Sequence, residues 1–264
     1  MRIISLLTDF GLTDPFVAEM KVVILSICPE VQIIDLSHGV EKFDIRMGAF
    51  LLATAAPYFP QGTIHVGVVD PGVGSERRPI IVQTSKSIYV GPDNGLLVPA
   101  ARSEGIRHVY HVTNKSLMRR EISATFHARD IFAPTAAHLA SGFPPADSGD
   151  EIIDYVSPSF AQAIVKKSSA VAEVFHIDGF GNVVTNISQA QVAEMGFELG
   201  QKVTVVLGRR GFLAKFASTY SDLKSDELGV LVGSHGFLEI ACCEKGAAKK
   251  IRARRGSLLR LSVA

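Results

Sequence analysis

Apolar positions in the first half of the chain follow two alternating rhythms. Short, nearly continuous runs (Ile3 to Leu7, Gln32 to Leu36, Thr63 to Val69) are separated by longer amphipathic stretches, Pro15 to Ile27 and Ile45 to Ala56. Further short runs follow at Ile80 to Gln83, Ser87 to Val90 and His108 to Val112, and Asp130 to Ala140 has helical spacing. This alternation predicts an α/β sheet layered with helices. Thr63 to Val69 is apolar almost throughout, as expected of a central strand covered on both faces. The second half is different. Runs at Val171 to Ile177, Val203 to Leu207, Gly229 to Val232, Phe237 to Cys242 and Leu258 to Val263 are spaced like a small β-barrel or sandwich, with one helix at Gln189 to Met195. Between the halves, Gly142 to Ser159 is loaded with turn formers and charges and reads as a linker. The expected boundary falls near residue 160, giving an α/β domain over 1–160 and a β domain over 161–264.

Composition supports this and removes several functions. At 264 residues, two domains are the better expectation from length. With 47% apolar and 20% charged residues, the chain can build proper cores. Its 27 basic and 26 acidic side chains leave a formal charge of +1. No bulk field therefore steers it onto nucleic acid or an anionic membrane, although a local basic patch stays possible. Cys28, Cys242 and Cys243 cannot all pair with one another, and neighbouring Cys242 and Cys243 are poorly placed to bridge. The run from Ile3 meets Thr8-Asp9 too soon for a signal-peptide core, and no stretch reaches membrane-spanning length. A soluble cytoplasmic protein with reduced thiols is expected.

The candidate chemistry clusters at strand ends. Val69-Asp70-Pro71-Gly72-Val73-Gly74-Ser75-Glu76-Arg77-Arg78 puts an acid and a glycine turn after the central strand, where open α/β sheets bind ligands. Arg77 stands where a dinucleotide fingerprint needs a third glycine, and no Gly-Lys-Ser/Thr phosphate loop occurs, so nicotinamide and nucleoside-triphosphate chemistry are disfavoured. The segment is equally readable as a tight turn capped by its own Asp. Thr8 to Pro15 also follows a strand. There Asp14 suits a helix N-cap ahead of Pro15, whereas Asp9 has no such structural excuse and could hold ribose hydroxyls. Thr125 to Asp130 opens a helix with Asp130 as its cap and Arg129 paired to a neighbouring acid; His127 faces either a cleft or the core. His108 and His111, three apart on a strand, point to opposite faces and make no metal pair. In Asp178-Gly179-Phe180-Gly181-Asn182, Phe180 could stack on a flat base and Asn182 read its edge, or the segment is a plain turn with Phe180 in the core. Ser234 to Glu239 offers a hydroxyl and a carboxylate, or simply a hairpin.

Taken in order, TDFGLTD from Thr8, VDPGVGSERR from Val69, GPDNGLL from Gly91, TFHARDIFAP from Thr125, DGFGNVVTNI from Asp178 and SHGFLEIA from Ser234 resemble the S-adenosylmethionine hydroxide adenosyltransferases. These enzymes are relatives of the fluorinases and chlorinases, and the likeness covers nearly the whole chain. It implies an N-terminal α/β domain joined to a C-terminal β-barrel, assembled as a homotrimer with S-adenosylmethionine bound between subunits. It carries a catalytic trio onto Asp70, Arg77 and His127 and ribose binding onto Asp9. Base recognition falls on Phe180 and Asn182, and further substrate contacts fall on Asp14, Ser234, Glu239 and the backbone near Cys242. No metal and no cofactor are implied, since S-adenosylmethionine is the substrate. Ala128 departs from the family's expected glycine, which bears on the backbone around His127.

The halogenating relatives replace the catalytic Asp with Tyr, replace the His, and insert a loop after the following strand. Here Asp70 and His127 are both present, and Ile80 runs to Gly91 without insertion. The resemblance therefore implies water as nucleophile and adenosine and L-methionine as products. Two other readings are a halide-dependent adenosyltransferase of the same fold and a non-catalytic sensor of adenosine or S-adenosylmethionine.

Overall fold

The computed structural model describes residues 2–158 and 163–264, so the boundary expected near residue 160 lies outside the described residues. The chain divides into two compact units, Met1–Ser159 and Phe160–Ala264.

The first unit runs β1 (Ile3–Thr8), α1 (Phe16–Ile27), β2 (Gln32–Ser37), α2 (Ile45–Ala55), β3 (Ile64–Val68), β4 (Pro79–Thr84), β5 (Ile88–Pro92), α3 (Val98–Ser103), β6 (Ile106–His111) and α4 (Ala133–Ala140). Its six-stranded sheet has the order β2-β1-β3-β5-β4-β6. The first four strands in that order are mutually parallel, while β4 is antiparallel to both neighbours. β3 is buried along its whole length, as its unbroken apolar run predicts. On one face Ile4, Leu6, Val66 and Val68 pack with Met20 and Ile24 of α1 and the small residues Ala133, Ala136 and Ala137 of α4. On the other, Leu7, Val69 and Tyr89 pack with Leu52 of α2 and with Leu96 and Leu97. From β1 the chain moves outward to β2, then returns past β1 to β3 on its other side. The C-terminal ends of β1 and β3, with Thr8 opposite Val68, therefore form the switch point where such sheets leave a crevice.

Two expected caps are corrected. Asp14 does not cap α1; Pro15 holds the N-cap position, with no side-chain hydrogen bond. Asp130 does not cap the helix after His127 either, because residues Ala128–Phe132 form a π turn ahead of α4 and Asp130 is fully buried inside it. The turn-rich segment from Gly142 is fastened to the first unit as far as Val156. Arg78 donates to Asp93 and Asp154, and the Val156 N–H donates to Asp93.

The second unit contains β7 (Ile164–Lys166), β8 (Ser169–Ile177), β9 (Val183–Ser188), α5 (Gln189–Met195), β10 (Lys202–Leu207), β11 (Arg210–Phe216), β12 (Leu228–Val232), β13 (Phe237–Cys242), α6 (Ala247–Ile251) and β14 (Leu258–Val263). The order β14-β10-β11-β12-β13-β9-β8 closes through β14–β8 pairing into a seven-stranded barrel, with β7 as an extra hairpin strand on β8. Closure leaves no long unpaired edge. Inside, Val174, Val183, Val203, Val205, Val230, Leu238 and Ile240 interdigitate. A capping box between Ser188 and Gln191 starts α5, and Gly196 in the left-handed conformation ends it.

Candidate active site

In the first unit a cavity of about 350 Å³ opens at the switch point, with Asp9, Asp70 and His127 in its lining. Asp9 is buried just beyond β1. Its Oδ2 accepts the Phe43 N–H at 2.9 Å, and its carbonyl oxygen accepts Lys42 Nζ at 2.5 Å. Phe43 holds a left-handed backbone (φ 67°) although it is not glycine, and the residue is 68% exposed at the cavity. A strained residue with an uncovered aromatic ring is uncommon away from a binding site. Phe10, Phe16 and Phe126 make an edge-to-face wall with ring centroids 5.1–5.8 Å apart.

Asp70, Arg77 and His127 are hydrogen-bonded to one another. Arg77 Nε and Nη2 donate to Asp70 Oδ1 and Oδ2 at 3.0 and 2.5 Å, and Nη2 also donates to His127 Nδ1 at 2.8 Å. Because a guanidinium only donates, Nδ1 is the acceptor, and a neutral His127 carries its proton on Nε2. Burial, and next the Arg77 charge, hold the His127 pKa below its ordinary value against the opposing pull of Asp70 and Asp130. Arg77 Nη1 is buried with no hydrogen-bond partner among the described residues, a charged donor still able to take an oxygen.

Three local devices fix this arrangement. Asn94 Nδ2 donates to the Val69 carbonyl at 2.8 Å and so pins the strand end beside Asp70. Gly74 has φ 77°, and a Cβ there would lie 2.4 Å from the Ala124 carbonyl oxygen; only glycine lets the Asp70–Arg77 loop come this close to the segment carrying His127. Asp130 accepts from Ser123 N–H and from Arg129, which also pairs with Glu19, so the anticipated Arg129 ion pair is present. Ala128 is helical and is absent from the positive-φ positions, so the π turn after His127 accepts a Cβ where glycine was anticipated.

In the second unit, Phe180, Asn182, Ser234, Glu239 and Cys242 line a single cavity of about 660 Å³. Asp178 organises the first two residues. Its Oδ1 accepts the Phe180 and Asn182 N–H groups at 2.9 and 2.8 Å, and its Oδ2 accepts Asn182 Nδ2 at 3.0 Å. Phe180 is 86% exposed, which rules out the core reading. Ser234 sits on the turn of the antiparallel β12–β13 hairpin. Glu239 is 2% exposed and accepts Tyr220 Oη at 2.5 Å and His235 Nε2 at 2.9 Å. Burial, and then Glu239 itself, push the Tyr220 pKa up, keeping the phenol a donor. Burial also pushes up the Cys242 thiol, which faces Asp226 and Lys250. Asp14 is exposed on the turn before α1 and does not line the first unit's cavity.

Models of the SAM hydroxide adenosyltransferase N-terminal and C-terminal domains match residues 4–149 and 172–260. The chain belongs to the SAM hydroxide adenosyltransferase family. It is 38% identical over 262 residues to an (R)-S-adenosyl-L-methionine hydrolase of Salinispora tropica, covering 98% of this chain and 97% of that protein. A protein of the same name from Thermus thermophilus is 34% identical, covering 99% and 100%. A fluorinase of Nocardia brasiliensis is 30% identical, covering 90% and 89%. A Thermotoga maritima crystal structure, titled as an uncharacterized conserved protein, superposes with a TM-score of 0.95 at 36% identity, over 98% of this chain and 99% of that one.

Several residues lining these cavities escape sequence reasoning. Lys42, Phe43 and Phe16 line the first cavity, and Tyr220 and His235 line the second. Phe43 alone has a distinctive trait, its positive φ, and that is visible only once the backbone is known.

Proposed function

We propose that this protein hydrolyses S-adenosyl-L-methionine. The oxygen of a water attacks ribose C5′, the C5′–S bond breaks, and its electron pair leaves with sulfur. The products are adenosine, L-methionine and one proton. The observation that carries this reading is the contiguous Asp70–Arg77–His127 hydrogen-bond chain, with Asp70 and His127 facing the switch-point cavity. Because sulfur departs as a neutral thioether, the leaving group needs no acid and the reaction needs no cofactor. The protein's work is to make and aim the nucleophile. In ideal cases such positioning removes about 7–11 kcal/mol of barrier.

The tautomer of His127 suggests how the parts divide. Nδ1 is engaged by Arg77, so Nε2–H is the face left to donate to the water oxygen. Asp70 keeps lone pairs beyond its two Arg77 bonds and accepts the water proton as the C–O bond forms. The fixed charge of Arg77 favours hydroxide character in the attacking oxygen. The apolar wall of Phe10, Phe16 and Phe126 lowers the polarity on one side of the site, which strengthens attraction between an incipient anion and a sulfonium. Asp9 receives the ribose hydroxyls, Phe180 stacks on adenine, and Asn182 reads the base edge. Asp14 and the turn around Ser234 take the remaining substrate contacts.

The relatives' names point to the (R) configuration at sulfur as the preferred epimer. We also infer a homotrimer in which the first unit of one subunit faces the second unit of the next, a reading supported by the open aromatic half-sites at Phe43 and Phe180. Three free cysteines support a reducing cytoplasmic setting. No described helix is long and apolar enough to cross a membrane.

Turnover of (R)- and (S)-S-adenosylmethionine in ¹⁸O-water, with and without fluoride or chloride, tests the proposal. One ¹⁸O in adenosine, the (R) epimer consumed faster and no 5′-halonucleoside are expected. Cleavage without label in the nucleoside, or a 5′-halo product, overturns it.

A further inference from the structure

The chain's single net positive charge conceals a sharply uneven distribution. Residues 245–264 hold seven basic side chains and no acidic one. Lys245 and Lys250 are matched by Asp226. Four arginines are not matched. Arg209 and Arg210 on the β10–β11 hairpin, and Arg252 and Arg254 on the connection from α6 to β14, line one concavity of about 490 Å³ together with Ser257. No carboxylate lines it, and none of the four has an ion pair among the described residues. The acid nearest in register, Glu173 opposite Leu258, is buried and is not a lining residue.

The backbone carrying these groups is held in place. Leu207 pairs with Arg210 across a two-residue turn whose first position, Gly208, has φ 60°, fixing Arg209 at the tip. Arg252 terminates α6 in the left-handed conformation. The following turn closes through Ser257 N–H to the Arg254 carbonyl and Arg254 N–H to Ser257 Oγ, and it is fastened to β8 by Gly256 N–H to the Val174 carbonyl and Val174 N–H to the Ser257 carbonyl. Four like charges gathered on fixed turns repel one another, and a multivalent anion relieves that repulsion. Guanidinium forks match phosphate oxygens two at a time, and Ser257 Oγ still has its hydrogen to donate.

We propose that this concavity on the barrel is a binding site for an oligophosphate group, such as the di- or triphosphate of a small metabolite. The volume is that of a small-molecule site. Nucleic acid would instead want a basic stripe continuing along the surface, and here two of the three neighbouring lysines, Lys245 and Lys250, are already paired to Asp226. The reading is independent of the hydrolase assignment, because no residue of either family cavity takes part.

The test is calorimetric titration of the intact protein with inorganic phosphate, pyrophosphate, tripolyphosphate and a 20-base-pair DNA duplex at near-physiological salt. It is repeated on Arg209→Ala/Arg252→Ala, whose folding is checked by thermal melting and by unchanged S-adenosylmethionine turnover without added anion. Saturable 1:1 binding per chain that tightens from phosphate to tripolyphosphate is expected, weakened at least tenfold in the double variant. Absence of saturable tripolyphosphate binding, equal binding by the variant, or tighter arginine-dependent binding of the duplex overturns the proposal.

Discussion

The two cavities treat their polar groups in opposite ways. In the first unit the polar groups are left with capacity to spare: Arg77 Nη1 has no partner among the described residues, each Asp70 oxygen keeps a lone pair beyond its Arg77 bond, and His127 keeps Nε2. In the second unit the charged groups are satisfied internally. Asp178 is consumed by its own turn and Glu239 by Tyr220 and His235, and the exposed ring of Phe180 and the amide of Asn182 remain in the cavity lining. The proposed roles fit this difference: moving a proton needs open reactive valence, whereas gripping a flat neutral base does not. A buried carboxylate in a cavity is therefore not by itself a catalytic signal; its hydrogen-bond account decides.

The sharpest way to break this contrast is at the trio. Asp70→Ala and His127→Ala should each lower kcat by about 10²–10⁴-fold, the usual worth of a positioned acid–base group, while the Kd for S-adenosylmethionine moves only a few-fold. Single-turnover kinetics beside equilibrium binding will separate the two. If either variant loses binding in proportion to turnover, the trio is a structural network and the contrast fails. Phe180→Ala and Asn182→Ala should do the reverse. Loss of one base-stacking contact is worth about 1–3 kcal/mol, so KM should rise by roughly 5- to 150-fold with kcat nearly intact.

Elements in the first unit were largely legible because each local preference agrees with its place in the sheet. β3 is apolar throughout and covered on both faces, and α1 and α2 begin and end within about a residue of their amphipathic stretches. Legibility fails where tertiary contacts overrule local signals. β9 was hidden behind the turn motif that precedes it, and β11, with Gly211 and Lys215 in its run, lacks the alternation of a half-buried strand. Asp14 and Asp130 look like caps in sequence, yet one is bypassed by Pro15 and the other is claimed by Arg129 inside a π turn. At the site, the strand-end positions of Asp9 and Asp70 followed from pattern alone. The grouping of Arg77 with His127, fifty residues away, came only from resemblance to a family, because no local rule spans that distance.

A milder probe of the first cavity is pH. The His127 pKa lies below its ordinary value, so the imidazole stays neutral through the physiological range and protonates only under more acidic conditions. Protonation places an N–H on Nδ1 facing the Arg77 N–H, which costs the hydrogen bond that orients the ring. Hence kcat/KM should be flat from neutral pH downward and begin to fall only below about 6.5, the reference histidine value. The residual activity of His127→Ala should lack this acid limb; if the limb persists there, it belongs to another group.

The smallest expected effect tests the closed character of the second cavity. Glu239→Gln is isosteric but removes the charge that two donors share, and the amide can accept from Tyr220 or His235 through one oxygen only. One donor is then left weakly paired in a nearly buried setting, a loss of about 0.5–1.5 kcal/mol in net hydrogen-bond terms. If Glu239 only holds its neighbours in place, KM should rise between about two- and twelvefold with kcat unchanged, and Tyr220→Phe in the same background should add little because the two changes break the same contact. A large fall in kcat on Glu239→Gln would instead mean that this carboxylate reaches the reacting atoms, and the division between a reactive and a merely receptive cavity would have to be redrawn.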